Sequence, residues 1–289
     1  MENQSVKSVA SAASVAKVSN LRKHYEGFEL SDVSFCLEKG AVTGFVGRNG
    51  AGKSTTIKSL LNLVHPDGGE IEFFGLDIKK NEQAIKQKIG YASAGVHYYE
   101  RKKIKDIIAV TARFYENWDN DLFNGYMQKF GIDVNKKPIE LSEGMKVKFS
   151  LATALSHGAE LLILDEPTSG LDPVSREELL EIFIALSKKG TTILFSTHII
   201  TDIEKCADNI IYIQKGKIIA NCSVKDFTAG YKIVKIGEQQ LGDDRIIGTC
   251  AAKNGYTALV KTEQADGFEN VSDAGCEDIM VHLEREEII

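Results

Sequence analysis

Eight residues constrain this chain more than any others: Gly47-Arg48-Asn49-Gly50-Ala51-Gly52-Lys53-Ser54 fits the pattern G-x-x-x-x-G-K-[ST] in full. The run lies between the short apolar stretch Ala41-Val42-Thr43-Gly44-Phe45-Val46, which reads as a strand, and a helical pattern from Lys53 to Val64. Glycines let the backbone curl until successive N–H groups point inward, and the N-terminus of the following helix adds positive potential. That geometry suits phosphate. Lys53 is placed to reach the β and γ phosphates of a nucleotide, Ser54 to ligate Mg²⁺, and Thr55 to help hold the α phosphate. Gly47, Asn49, Gly50, Ala51 and Gly52 supply the backbone of the cradle.

A second feature belongs with the first. Leu161-Leu162-Ile163-Leu164 is an apolar strand that ends in two carboxylates, Asp165 and Glu166. If both runs share a parallel sheet, their carboxyl ends lie together, with Asp165 in the Mg²⁺ shell and Glu166 orienting or deprotonating an attacking water. The later apolar runs Thr192 to Phe195 and Asn209 to Ile213, and the helical pattern Val174 to Lys188, make the β and α units alternate. Alternation implies a parallel sheet covered on both faces.

Other stretches are organised differently. Phe28, Leu30, Val33, Phe35 and Leu37 alternate with polar residues, which predicts half-buried antiparallel strands near a sheet edge, and Glu70 to Phe74 resumes as strand after the turn at His65-Pro66-Asp67-Gly68-Gly69. A helical insertion is expected over about 92–157, with Ile104, Ile107, Ile108, Thr111, Phe114 and Tyr115 on one side of one helix and Leu122, Tyr126, Met127 and Phe130 on another. Ser142 is placed to cap a further helix that runs to about His157. Residues 1–16 read as a flexible lead-in, 17–222 as the main domain, and 223–289 as a small accessory region with short strands over Lys232 to Ile236 and Tyr256 to Val260 and a helix over Asp278 to Glu286.

Composition excludes several alternatives. The net charge of −6, from 35 Lys and Arg against 41 Asp and Glu, provides no global field for nucleic acid, and no nucleic-acid partner is expected. Gly190 to Thr201, the longest uncharged stretch considered for a bilayer, falls short of the roughly 18 apolar residues a spanning helix needs. The five cysteines are scattered and contain no C-x-x-C pair, so they read as reduced thiols rather than a disulfide framework or a zinc site.

With these motifs in order, the chain resembles the ATP-binding-cassette (ABC) ATPases from roughly Val18 to Ala220. The resemblance rests on the phosphate loop, on Leu141-Ser142-Glu143-Gly144-Met145, on Asp165-Glu166-Pro167-Thr168-Ser169-Gly170-Leu171-Asp172-Pro173, and on Ser196-Thr197-His198. It implies an α/β fold of the P-loop NTPase class, a mostly parallel sheet covered by helices, with an antiparallel β edge subdomain, a helical insertion and a small C-terminal accessory region. It also implies a head-to-tail pair with a second copy or a homologous cassette, in which ATP on one subunit is capped by Ser142 and Gly144 of the other. His198 then matches the γ-phosphate switch histidine, Asp172 the loop that crosses to the partner, and Tyr25 the aromatic that stacks on adenine, with Phe28 close enough to compete.

The resemblance further implies ATP hydrolysis that powers transport through a separate membrane permease, at the cytoplasmic face of the cell membrane. Tyr98, Tyr99, Glu100 and Arg101 are the candidates for the permease contact, although paired tyrosines also suit packing within the insertion. Leu141 to Pro173 and the Asp278-Ile279-Met280 segment are similar to single-cassette bacterial antibiotic- and peptide-efflux proteins. A soluble cassette acting on ribosomes or chromosomes, and a regulatory nucleotide binder, are the alternative readings.

The chain departs from the family pattern at three places. After Ile89-Gly90-Tyr91 the usual Gln gives way to Ala94, with His97 and Glu100 as nearby substitutes; Glu143 replaces the first signature glycine; and Met145 replaces the usual Gln. Retained ATPase activity with altered coupling is expected.

Overall fold

The computed structural model describes residues 14–93, 99–253 and 255–285. The chain divides into two compact units, one of Met1–His198 with Cys206–Asn221, the other of Ile199–Lys205 with Cys222–Ile289.

In the first unit, β1 (Ser14–Tyr25) and β2 (Phe28–Glu38) form an antiparallel hairpin in which Tyr25 faces Phe28. The alternation seen in the sequence is realised in β2, whose Leu30, Val33, Phe35 and Leu37 are buried. The lead-in expected over 1–16 ends early, because β1 already begins at Ser14. Val15 and Ala16 are buried, and Ala16 pairs with Leu37 on one side and Phe73 on the other. Residues 1–13 lie outside the described residues.

All five residues of β3 (Val42–Val46) are buried, as a central strand requires, and α1 (Lys53–Leu60) follows the glycine-rich turn. The helix stops short of the expected Val64. Asn62 takes a left-handed φ of 55°, and the Leu63 and Val64 N–H groups both fold back onto the Lys58 carbonyl. Next, β4 (Gly68–Phe73) and β5 (Leu76–Asp77) complete a four-stranded antiparallel sheet in the order β2-β1-β4-β5. Asp77 caps α2 (Ile78–Lys86) by accepting the Lys79 and Lys80 N–H groups, and β6 (Ile89–Ser93) leads towards the insertion.

The insertion contains α3 (Ile104–Thr111), α4 (Asn120–Lys129) and α5 (Glu143–Ser156). These helices enclose their own core of Ile104, Ile107, Ile108, Phe123, Met127, Leu141 and Phe149. Phe114 departs from the sequence reading: α3 ends at Thr111, a short 3-10 turn follows, and Phe114 is 71% exposed rather than on the helix's apolar face. The capping expectation holds, with Ser142 Oγ accepting the Met145 N–H at 3.3 Å.

Then follow β7 (Leu161–Asp165), α6 (Pro173–Ser187), β8 (Thr192–Thr197), α7 (Ile200–Cys206), β9 (Asn209–Gln214) and β10 (Lys217–Ser223). The six-stranded sheet runs β10-β9-β3-β8-β7-β6, and its neighbours from β9 to β6 pair in parallel. A continuous core joins β1 and β2 (Leu21, Leu30, Phe35) to α1 (Ile57, Leu60) and to Phe45, Ile163, Leu194 and Ile211 of the parallel sheet. Such a core holds β3, β7 and β8 in register, and truncating a fully buried ring such as Phe45 to alanine costs about 3 to 5 kcal/mol.

The second unit is built from α7 up to Lys205, α8 (Val224–Ala229), β11 (Tyr231–Ile236), β12 (Ile246–Ala252), β13 (Gly255–Lys261), β14 (Ser272–Asp273) and α9 (Cys276–Glu284). Its sheet runs β12-β13-β11-β14 over a core of Val234, Ile236, Ala258, Val260 and Phe268. The terminal helix starts two residues before the expected Asp278, because the Asp278 carboxylate reaches back to the Gly275 N–H at 3.1 Å and closes the first turn. All five cysteines are free thiols.

Candidate active site

Parallel pairing brings three chemistry-bearing strand ends together. Val46 lies opposite Thr197, and Asp165 opposite Ser196, so the glycine-rich loop, the two carboxylates and the residues after β8 meet at one edge of the sheet. There they line a cleft of about 590 Å³ that includes Asn49, Gly50, Gly52, Lys53, Ser54, Thr55, Glu166 and His198.

Two glycines of the loop are dictated by space. A Cβ on Gly47 would stand 2.3 Å from the Ile213 carbonyl oxygen, and one on Gly52, whose φ is 114°, would stand 2.6 Å from Leu30 Cδ2. Ala51 between them is buried, and its N–H bonds the Arg48 carbonyl, which closes the turn.

Lys53 is only 5% exposed, and its ammonium is compensated on several sides. It donates to the Gly47 carbonyl at 2.6 Å and to the Arg48 carbonyl at 3.4 Å, and lies 3.3 Å from Glu166 Oε1. Next to it, Ser54 Oγ donates to Asp165 Oδ1 at 3.3 Å. Ser196 organises both carboxylate residues: its hydroxyl donates to Asp165 Oδ1 at 2.6 Å and accepts the Glu166 backbone N–H at 2.9 Å. Glu166 itself has φ 53°, a left-handed backbone that costs a non-glycine residue about 1 kcal/mol or more. Its Oε2 accepts from His198 Nδ1 at 2.8 Å, which places the ring proton on Nδ1. Lysine, glutamate and histidine thus form a connected chain across the cleft.

The donor set near Asp165 is all oxygen. Ser54 Oγ and Asp165 Oδ1 are hard ligands of the kind Mg²⁺ takes, and an ion that keeps most of its water needs no larger protein cage. Among the described residues there is no cluster of three or more His, Cys, Asp or Glu able to hold a metal by itself.

Four of the expected residues lie elsewhere. Tyr25 is 41% exposed, with the Lys23 ammonium 5.6 Å from its ring, and the hairpin residues that line the cleft are Gly27 and Phe28 instead. Ser142 caps α5, Gly144 is the second residue of that helix, and Asp172 caps α6 by accepting the Val174 and Ser175 N–H groups at 3.0 Å each. None of these three lines the cleft of its own chain. Hydrogen bonds from Ser175, first through its hydroxyl and then its backbone, hold the Asp172 carboxyl below its usual range.

Sequence reading passed over Arg48 and Ser169 as lining residues and Ser196 as an organiser. It also leaves the departures from the family pattern open, and two now have physical reasons. The Glu143 carboxylate is paired with Lys146 at 2.7 Å, three residues on along an exposed turn, and its charge favours a helix N-terminus. Met145 is partly buried and packs its apolar side chain against the insertion core. Ala94, His97 and Tyr98 lie outside the described residues.

The sequence pattern of the family described as "ABC transporter" matches residues 30–169. The chain is 34% identical over 211 residues to the bacitracin transport ATP-binding protein BcrA of Bacillus licheniformis, covering 72% of this chain and 69% of that protein. It also resembles the solved structure of cbiO1 from Clostridium perfringens, part of the ABC transporter complex cbiONQ. That match has a TM-score of 0.64 and 26% identity, over 75% of this chain and 91% of that one. A dimeric post-hydrolysis structure of the ATP-binding cassette MJ0796, bound to ADP and Pi, shares the fold with a TM-score of 0.64 and 20% identity, over 72% of this chain and 98% of that one. Motif order, sheet topology and these likenesses agree: the chain belongs to the ABC transporter family, as an ATP-binding cassette that hydrolyses ATP to power transport.

Proposed function

We propose that this cassette binds ATP with Mg²⁺ in the cleft between its glycine-rich loop and Asp165-Glu166, and that it works as one of two head-to-tail copies to drive export through a separate permease. The observation that carries the reading is the convergence of Lys53, Ser54, Asp165, Glu166 and His198 at the joined ends of β3, β7 and β8.

The backbone of Gly47 to Gly52 and the N-terminus of α1 supply N–H donors to the phosphates, with Lys53 adding its charge and Thr55 a further contact. Ser54 and Asp165 hold Mg²⁺, which when bound neutralises charge developing on the phosphate oxygens. Glu166 orients and deprotonates the attacking water, and His198 fixes the Glu166 carboxylate through the 2.8 Å hydrogen bond. The hairpin aromatics Tyr25 and Phe28 offer rings to adenine, and Phe28 already lies on the cleft wall.

Ser142 and Asp172 are exposed and do not line the chain's own cleft, and Gly144, buried in the first turn of α5, lies beside Ser175, the hydrogen-bond partner of Asp172. A helix N-terminus capped by a hydroxyl is a natural clamp for a γ phosphate. Among the described residues no helix is long and apolar enough to cross a membrane, and in this proposal translocation belongs to a separate permease. The exposed Phe114, on the wall of a groove of about 400 Å³ with Glu82 and Lys86, and the exposed Tyr99 and Arg101 support docking of that permease beside the insertion, and with it the proposal that the cassette works at the cytoplasmic face of the membrane. BcrA's name links it to bacitracin transport, and export of an antibiotic or peptide is the corresponding proposal for this chain. Reconstitution with the candidate permease tests it: ATP-dependent movement of a peptide antibiotic out of the cytoplasmic compartment is expected, and movement only inward would reject export.

A further inference from the structure

One residue outside every recognised motif position touches two of the elements assigned to the partner-facing surface. Ser175, in the first turn of α6, donates its hydroxyl to Asp172 Oδ2 at 2.6 Å and its N–H to Asp172 Oδ1 at 3.0 Å. The same side chain lies over Gly144 in the first turn of α5. A Cβ built on Gly144 would stand 3.2 Å from Ser175 Cβ and 3.3 Å from its Oγ.

The two hydrogen bonds do different things. Asp172 Oδ1 already accepts from both Val174 and Ser175 N–H, and that alone caps α6. The Ser175 hydroxyl adds little to the cap, but it occupies the second oxygen and so fixes the plane of the carboxylate. On its other side the side chain sets the approach of α5. One turn further along both helices, the Lys148–Glu178 ion pair holds the pair side by side without reaching either first turn.

We propose that Ser175 is a positioning residue for ATP-driven association: it locks the Asp172 carboxylate and the Gly144 end of α5 into one rigid unit, so that a second copy meets both in fixed register. The proposal rests on the head-to-tail pairing put forward above. Ser175 does not line the cleft of its own chain, so its effect falls on association and turnover, not on the first binding of ATP.

The test is made on the full chain carrying Glu166→Gln, with Mg-ATP, by sedimentation over a range of protein concentrations. Adding Ser175→Ala is expected to weaken the dimer about tenfold, the equivalent of one lost hydrogen bond to a charged group. The affinity of dilute monomer for a fluorescent ATP analogue should stay within about twofold of the parent. In the chain with native Glu166, Ser175→Ala should lower kcat while leaving the KM for ATP near the parent value. Lys148→Met, which loosens the same helix pair without touching Asp172, is the control and should leave the dimer near parental strength. Parental dimer strength in Ser175→Ala would overturn the proposal, as would equal weakening by Lys148→Met, which would reduce Ser175 to general helix packing. A Glu166→Gln parent that stays monomeric with Mg-ATP would overturn the head-to-tail reading along with it, and is told apart by the parent alone.

Discussion

The Ser196 hydroxyl donates to Asp165 Oδ1 across a 2.6 Å hydrogen bond between neighbouring strands, and neither residue is open to solvent. A buried carboxylate that loses such a partner pays its desolvation penalty alone. Ser196→Ala is therefore expected to destabilise the fold by about 1 to 3 kcal/mol, seen in chemical denaturation. The Mg²⁺ concentration that supports half-maximal turnover should rise as well, because Asp165 is then less firmly aimed. An unchanged denaturation midpoint would contradict the role given to this hydroxyl.

Lys53→Ala removes the cation at the base of the loop. ATP affinity should fall by about a hundredfold in a fluorescent nucleotide titration, the scale of a lost contact to a charged group plus its Coulombic share. The substitution also leaves Glu166 without its 3.3 Å counter-ion, so thermal stability should be measured alongside.

Glu166→Gln keeps the shape of the side chain and removes its basicity. Phosphate release is expected to slow by about 10² to 10⁴, the usual share of a general base. Size-exclusion chromatography with Mg-ATP should show a lasting dimer. Equal phosphate release by parent and variant would withdraw Glu166 from catalysis.

His157 gives the molecule a pH response remote from the cleft. Its ring stacks on Tyr115 with centroids 3.8 Å apart, its Nδ1 meets the Gln87 carbonyl at 3.1 Å, and burial pushes its pKa below the ordinary 6.5. In the unfolded chain the imidazole protonates first as pH falls. Stability from this group is thus fully present above about 6.5 and is lost as pH drops towards the lowered folded-state value. Denaturation midpoints should decline as pH falls below about 6.5, and those of His157→Phe should decline less.

The parts legible in the sequence were those fixed by local pattern. The apolar runs of β3, β7 and β8, the glycine-rich turn, and Ser142 as a cap all carry their signal within a few residues. Ser196 was harder to see because its partner lies 31 positions away, and only the strand pairing joins them. The start of β1 at Ser14 depends on pairing with β2 and β4, which a Ser-, Ala- and Val-rich stretch does not announce. Phe114 looked like a core residue because it continued the helical period, yet the helix tightens into a 3-10 turn before reaching it. Tyr25 and Phe28 face each other across one hairpin, so sequence spacing alone could not say which ring reaches the cleft.

The Lys53 ammonium already donates to two loop carbonyls and forms an ion pair with the Glu166 carboxylate. An incoming triphosphate must therefore displace resident acceptors, so its affinity measures an exchange between rivals rather than the filling of an idle socket. Removing the charged rival, the Glu166 carboxylate just past the end of β7, should tighten nucleotide binding even as it stops the chemistry.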